Sequence, residues 1–135
     1  MTGARWAPRT IRGTDVKYML LIYNNPGTYE AWSQQEREAL FGQVDQIMAE
    51  LRESGELVGG EALADVSNTK TVRVRDGVPA ITDGPFAEAK EQFAGYLTVD
   101  CETQERAVEI AARWPDAQYF AMEVRPVMHT TVVEM

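Results

Sequence analysis

The pattern of apolar positions predicts a strand and one long helix in the first part of the chain. Residues 16–23 are almost continuously apolar and end at turn-forming residues 24–27, which predicts a buried strand. Ser33 and Glu36 have the spacing of a capping box, and Gly55 is placed to end the helix. Between them, apolar residues recur at the helical period: Leu40, Val44, Ile47, Met48 and Leu51.

A second strand and a β-hairpin are predicted next. Residues 57–63 form the strand, in which the paired glycines at 59–60 indicate a bulge or a close approach of another backbone. Residues 71–75 alternate between polar and apolar, and the Asp-Gly at 76–77 is the signature of a type I′ turn. The return strand is predicted at 78–82.

The second half of the chain repeats the order strand, helix, strand. Residues 92–99 predict the first of these strands, and a helix is expected from Thr103 until Pro115 stops it. The last strand is predicted at 119–125. The core-facing residues of the helix are expected to be Ala107, Val108, Ala111, Ala112 and Trp114.

The order β-α-β, hairpin, β-α-β predicts an α+β fold of the ferredoxin-like, split βαβ type with an inserted β-hairpin. Two amphipathic helices cover one face of such a sheet. We expect the other face to carry Leu97, Met122 and Val124 and to be covered by a second copy, which makes a homodimer.

Composition excludes several classes of partner. The chain has 135 residues, enough for one domain, and a formal net charge of −8, which argues against direct nucleic-acid binding. No apolar run approaches the roughly 20 residues that span a membrane. One cysteine, Cys101, rules out an intramolecular disulfide and fits a cytoplasmic protein.

The two ends of the chain differ from the domain between them. Residues 1–15 contain three arginines and no periodicity, so we expect a disordered N-terminal extension. The domain is predicted at 16–128, and residues 129–135 are expected to be a C-terminal tail.

A rigid corner at residues 83–85 carries the best candidate for catalysis. Asp83 is followed by Gly84 and Pro85, three turn-forming residues in a row, which present one carboxylate at a fixed position. Asp83 is a candidate general base, and the alternative is an aspartate that hydrogen-bonds the backbone of its own turn.

Further candidates could line a cleft for a small molecule. Glu61 lies in a predicted strand and could face a pocket with Tyr23, Tyr96 and Arg125, or form a structural pair with Arg125. Lys90 could pair with a carboxylate or phosphate of a ligand, and Glu88 could lie beside it. For Glu88 and Lys90 the alternative is exposed surface charge.

The sequence predicts neither a metal site nor a bound cofactor. One histidine, His129, and one cysteine lie far apart and do not have the spacing of zinc ligands. Gly59-Gly60 lacks the pattern of a phosphate-binding loop, and no Ser-His or Cys-His pair indicates a nucleophile.

Five motifs along the chain resemble one known family. They are Lys17–Tyr23 (KYMLLIY), Gly59–Leu63 (GGEAL), Thr71–Gly77 (TVRVRDG), Thr82–Glu91 (TDGPFAEAKE) and Glu123–Pro126 (EVRP). Their sequences and order resemble the DGPF-domain branch of the YCII-related family over about residues 17–127. The resemblance implies a ferredoxin-like fold that assembles as a dimeric α/β barrel. It also implies a natural start at Val16, so that residues 1–15 lie upstream of it.

The resemblance does not imply a particular activity. The YCII branch carries a histidine early in the first helix and an aspartate before the last strand, and that pair has been suggested to be catalytic. This chain has no histidine near residues 33–51, and Asp116 follows its proline instead of preceding it, so we do not assign the pair here. DGPF members also occur fused to sigma-70-type factors.

Two functional interpretations therefore stay open, and the sequence does not decide whether the protein is an enzyme. The first is a protein that binds or transforms a small molecule, without a cofactor, in a cleft near the Asp-Gly-Pro-Phe turn. The second is a non-enzymatic regulatory homodimer associated with a sigma factor.

Overall fold

The computed structural model of the protein describes residues 3–8, 16–87 and 89–134. Its strands are β1 (Gly3–Pro8), β2 (Val16–Asn24), β3 (Leu57–Ala62), β4 (Lys70–Arg75), β5 (Val78–Asp83), β6 (Gln92–Cys101), β7 (Ala121–Pro126) and β8 (His129–Glu134). Its α-helices are α1 (Pro26–Ala31), α2 (Gln34–Ser54), α3 (Gln104–Arg113) and α4 (Pro115–Tyr119), and a 3-10 turn covers Val66–Asn68.

Four antiparallel strands form the central sheet in the order β3-β6-β2-β7. β2 and β3, which α2 joins, are separated in the sheet by β6. This arrangement is the split βαβ unit, and the predicted α+β class is confirmed. The strands β4 and β5 form a separate antiparallel hairpin.

The long helix α2 begins and ends where the sequence predicts. The Ser33 side chain accepts from the Glu36 backbone N–H, while the Glu36 side chain accepts from the Ser33 N–H. Gly55 ends the helix with φ = 82°, a left-handed conformation that favours glycine. Ile47 and Leu51 are buried against the sheet.

The buried face of α3 corrects part of the prediction. Ala107, Ala111 and Trp114 are buried as expected, but Val108 is 50% exposed and Ile110 is completely buried. The predicted Ala112 is exposed as well. The i, i+3, i+4, i+7 spacing from residue 107 includes Ile110, and the predicted set did not follow it.

The face of the sheet that packs on the helices also differs from the prediction. Leu97 is buried in the core, and Met122 and Val124 pack against the same cluster. The expectation that these three residues lie on the opposite face is therefore wrong. Because successive side chains of a strand alternate, the opposite face carries their neighbours, such as Tyr96 and Glu123.

The hairpin and the paired glycines are confirmed. Asp76 and Gly77 both have positive φ, 52° and 77°, as a type I′ turn requires. The pairing of β3 with β6 is irregular between Leu57 and Gly59, and a Cβ on Gly60 would lie 2.5 Å from the Tyr96 carbonyl oxygen. The glycine pair therefore marks both a bulge and a close backbone approach.

Two short helices were not predicted. Asn25, read as part of a turn, caps α1 by accepting from the Gly27 N–H at 2.9 Å, and Pro26 occupies the first turn. Pro115 begins α4, directly after Trp114, the C-cap of α3. In both cases, a proline that ends one element opens the next helix.

The ends of the described chain form a two-stranded antiparallel sheet, β1 with β8. The sequence predicted a disordered extension at residues 1–15 and a C-terminal tail at residues 129–135, whereas the described residues 3–8 and 129–134 are strands. The β8 sequence is rich in β-branched Thr and Val, which favours a strand. In the part of the chain that the structure describes, no helix is long and apolar enough to cross a membrane.

Candidate functional site

A cleft with a volume of about 680 Å³ lies between α2 and the sheet. Its walls are mainly apolar, with Leu40, Val44 and Met48 on the helix side and Ile22 and Leu97 on the sheet side. A concave, mostly apolar cavity with a few polar groups is the usual form of a small-molecule site.

Three polar side chains that contact one another lie at one end of this cleft. Asn24, Tyr29 and Asp116 all line it. The Tyr29 hydroxyl donates to Asp116 Oδ2 at 2.6 Å, and Asn24 Nδ2 donates to the same oxygen at 3.3 Å. Asp116 is only 5% exposed, and among the described residues no side chain donates to its second oxygen, Oδ1. One carboxylate oxygen is thus held in place, and the other accepts no hydrogen bond from a described side chain.

Three separate elements bring these groups together. Asn24 is the last residue of β2, Tyr29 lies on α1, and Asp116 is in the first turn of α4. The ring of Tyr29 packs edge-on against Trp32 at 5.0 Å and against Phe120 at 5.8 Å between centroids. These ring contacts fix the direction in which the phenol donates.

The pKa of Tyr29 supports its role as a donor. Burial raises the pKa of the phenol well above its usual value, and the hydrogen bond to Asp116 raises it further. Tyr29 is therefore protonated throughout the physiological range and can only donate to the carboxylate.

Charged side chains surround the rest of the cleft. Arg37 and Arg52 line it from α2, with Asp45 between them, and Asp65 lies at the opposite edge. Hydrogen bonds from Ser67 hold the pKa of the Asp65 carboxyl below its usual value. Arg37 is partly buried, and its side chain forms no hydrogen bond or ion pair with a described residue.

The structure brings together some of the residues that the sequence singled out. Tyr96 donates its hydroxyl to Glu61 Oε1, which raises the pKa of Tyr96. Both residues contribute to the edge of the cleft where β3 pairs with β6, but their side chains lie on the sheet face opposite the helices. Tyr23 and Arg125 do not line the cleft. A hydrogen bond to Glu123 is the main reason why the pKa of Tyr23 is raised, and the positive charge of Arg125 acts to lower that pKa.

The proposed pair of Glu61 with Arg125 is not formed. Glu61 lies on β3 and Arg125 on β7, which are the two edge strands of the central sheet. Neighbouring strands are about 4.8 Å apart, so two intervening strands put these backbones about 14 Å apart. The partner of Glu61 is Tyr96 instead.

Asp83 lies outside the cleft. Its side chain is 81% exposed at the end of β5 and pairs with Lys70 on the neighbouring strand. The corner itself is held by the Gly84 N–H, which donates to the Thr69 carbonyl at 2.8 Å. Lys90 is exposed and does not line the cleft, and Glu88 lies outside the described residues.

Within residues 3–8, 16–87 and 89–134, no group of three or more His, Cys, Asp or Glu side chains could hold a metal ion. Cys101 is buried, and its thiol donates to the Thr103 carbonyl at 3.4 Å. His129 lies on β8. In the cleft, Asp116 is a positioned carboxylate, and such a group can accept a hydrogen bond or a proton.

Comparison with known proteins gives the family. The family model described as YCII-related domain matches residues 16–131, more than half of the chain. The chain belongs to the YCII-related domain family. A protein of Rhizobium meliloti (strain 1021), whose name describes it as uncharacterized, is 32% identical over 111 residues, which cover 81% of this chain and 90% of that protein. The matched range of the YCII-related domain includes Asn24, Tyr29 and Asp116.

The sequence-based interpretation missed the polar end of the cleft in this YCII-related domain. Asp116 was set aside because no histidine accompanies it, whereas its partner in the structure is the phenol of Tyr29. One signal was available: Asn25 and Pro26 have the preferred residue types for a helix cap and first turn, which would have placed Tyr29 on a helix.

Proposed function

We propose that this YCII-related domain binds a small organic molecule in the cleft between α2 and the sheet. The observation that supports it is the buried Asp116 carboxylate, which lines the cleft and receives described hydrogen bonds on one oxygen only. A bound hydroxyl, amine or amide N–H would donate to Oδ1, while Tyr29 and Asn24 keep the carboxylate in position.

The same arrangement suits proton transfer. A carboxylate that is held at a fixed angle in an apolar cleft can take a proton from a bound molecule. The phenol of Tyr29 stabilises the negative charge of that carboxylate by donation. In this proposal the cleft, and not the Asp-Gly-Pro-Phe turn, holds the ligand, and Asp83 is outside the site.

A thermal-shift screen of metabolites tests the proposal with a matched pair of variants. Ligands that bind the folded protein raise its melting temperature by linkage. We expect a compound that stabilises the wild type to lose its effect on Asp116→Asn and to keep it on Asp83→Asn, which removes the same charge outside the cleft. A compound that loses its effect on Asp83→Asn alone would contradict the proposal.

The homodimer, membership of the DGPF branch and a cytoplasmic location stay part of the proposal. The alternative function, a regulatory homodimer associated with a sigma factor, stays a prediction from the resemblance. The screen separates the two functions, because a regulatory role through protein contacts does not require a ligand that depends on Asp116.

A further inference from the structure

We infer that the ligand of this cleft carries a small oxyanion, a carboxylate or phosphate, which Arg37 binds. This inference rests on the proposed function and names the class of molecule that the cleft would take. Arg37 is a partly buried cation in a protein with a formal net charge of −8.

Three of the described arginines have a side-chain partner. Arg106 pairs with Glu56 and Glu109, Arg113 pairs with Glu50, and Arg73 lies over the Phe86 ring at 4.6 Å. Arg37 is partly buried in the cleft wall, yet its side chain has no hydrogen bond or ion pair with any residue that the structure describes. Arginine side chains are almost never fully removed from water without a partner.

The topology places Arg37 at the polar end of the cleft. β2 ends at Asn24, and the chain passes through α1 directly into the first turn of α2, which carries Arg37. Tyr29 on α1 is bonded to Asp116. The cation and the open carboxylate oxygen are therefore at the same end, whereas Arg52 is in the last turn of α2, at the other end.

The two groups select a molecule of defined polarity. The planar guanidinium of arginine matches the geometry of a carboxylate or phosphate and binds it with two parallel hydrogen bonds. Asp116 repels an anion and favours a hydrogen-bond donor. The apolar walls formed by Leu40, Val44 and Leu97 take a hydrocarbon body. The ligand class is thus an apolar molecule with an oxyanion and a neighbouring hydroxyl or amine.

Three probe compounds test this assignment by isothermal titration calorimetry. Phenyllactate has an aromatic body, a hydroxyl and a carboxylate, and its methyl ester lacks the charge. 1-Hydroxy-2-phenylethylphosphonate keeps the ring and the hydroxyl and replaces the carboxylate by a phosphonate, which stands in for a phosphate. We expect one of the two anions to bind the wild type at least tenfold more tightly than the ester. The stronger anion distinguishes a carboxylate site from a phosphate site.

Two arginine variants assign the preference to Arg37. Arg37→Gln should bind the preferred anion and the ester equally, whereas Arg75→Gln, which removes the same charge from the exposed hairpin, should keep the preference. Arg37→Gln is expected to fold with an unchanged melting temperature, because the Arg37 side chain has no hydrogen bond or ion pair to lose among the described residues.

Three results would overturn the inference. Equal binding of ester and anions by the wild type would exclude an oxyanion site but would leave the proposed cleft function standing. If Arg37→Gln still binds the anion more tightly than the ester, a residue other than Arg37 is responsible for the preference. Failure of all three compounds to bind at millimolar concentration would count against the ligand class, while the metabolite screen with Asp116→Asn tests the cleft itself.

Discussion

At the scale of single residues, the central feature is a carboxylate held by a phenol. Asp116 is buried, and its two described side-chain partners, Tyr29 and Asn24, donate to the same oxygen. A buried charge is tolerated only when hydrogen bonds compensate for the lost water. The site therefore depends on Tyr29 for its stability as well as for its geometry.

Replacing Tyr29 by phenylalanine tests that dependence. The change removes one hydrogen bond to a buried charged group, so we expect Tyr29→Phe to lower the free energy of unfolding by about 1.5–3 kcal/mol. Tyr119→Phe is the matched control, since Tyr119 is 51% exposed and contacts Trp32 through its ring. Urea denaturation measures both, and equal stabilities of the two variants would contradict the assigned role of the phenol.

The residues of the site could not be predicted from local sequence. Tyr29 and Asp116 are 87 positions apart, and each lies on a short helix without periodicity. Asp83, by contrast, stands in a conspicuous run of turn-forming residues, which specify its backbone and not a binding site. The type I′ turn at Asp76-Gly77 was predictable because its signature is local.

At the scale of elements, the secure predictions rest on capping and periodicity. The capping box and Gly55 fix the bounds of α2. The sequence did not assign the correct face to Leu97, Met122 and Val124, because strand alternation groups residues on a face but does not say which face the helices cover; the packing of α3 on β7 decides this.

The approach of β3 to β6 gives a test at this scale. A methyl group on Gly60 would meet the backbone of Tyr96 and Leu97 at less than 3 Å, whereas a methyl group on Gly59 would meet no atom within 4 Å. We expect Gly60→Ala to destabilise the protein by about 1–3 kcal/mol through overpacking, and Gly59→Ala to have little effect. Thermal unfolding of both variants compares them, and a stable Gly60→Ala would contradict the close approach.

A salt bridge connects α3 with the segment that follows α2. Arg106 donates through Nε and Nη2 to the two carboxylate oxygens of Glu56, each at 2.8 Å. The hydrogen bond from Arg106 is the main reason why the pKa of Glu56 is below its usual value. A carboxyl group whose pKa is lower in the folded than in the unfolded protein stabilises the fold at pH values above its unfolded pKa. This stabilisation is lost as the pH falls through the folded pKa.

We therefore expect Glu56→Gln to lower the free energy of unfolding by about 1–2 kcal/mol at pH 7. This value lies between those for exposed and buried ion pairs, because the Arg106 side chain is 38% exposed. The difference from wild type should shrink as the pH falls below about 4.3. Glu109→Gln is the control, since Glu109 is 67% exposed and contacts the same arginine at 3.3 Å. Unfolding curves from pH 3 to 7 measure the stability of wild type and both variants. A difference between wild type and Glu56→Gln that does not change with pH would contradict the prediction.

At the scale of the whole molecule, the helices cover one face of the central sheet, and no described helix covers the other. That face carries Met19 and Leu21, which are only half-buried in one chain, beside Tyr96 and Glu123. We expect a second copy of the chain to cover this face and form a homodimer. The interface would then include Met19 and Leu21 and not the residues that the sequence suggested, Leu97, Met122 and Val124.

Light scattering at micromolar concentration tests the homodimer. The predicted result is about twice the mass of one chain. Leu21→Lys, which puts a charge in the middle of this face, should reduce the mass to that of a monomer if the face is the interface. A wild-type monomer would contradict the prediction, and a dimer that survives Leu21→Lys would place the interface elsewhere.

The central claim is that the ligand binds at the Asp116 end of the cleft and not at the Asp-Gly-Pro-Phe turn. The most direct measurement is the map of backbone amide chemical-shift changes when a stabilising compound from the metabolite screen is titrated into the wild type. We predict that the largest changes cluster at Asn24, Tyr29 and Asp116. Changes confined to residues 83–86, with the cleft unaffected, would contradict the claim.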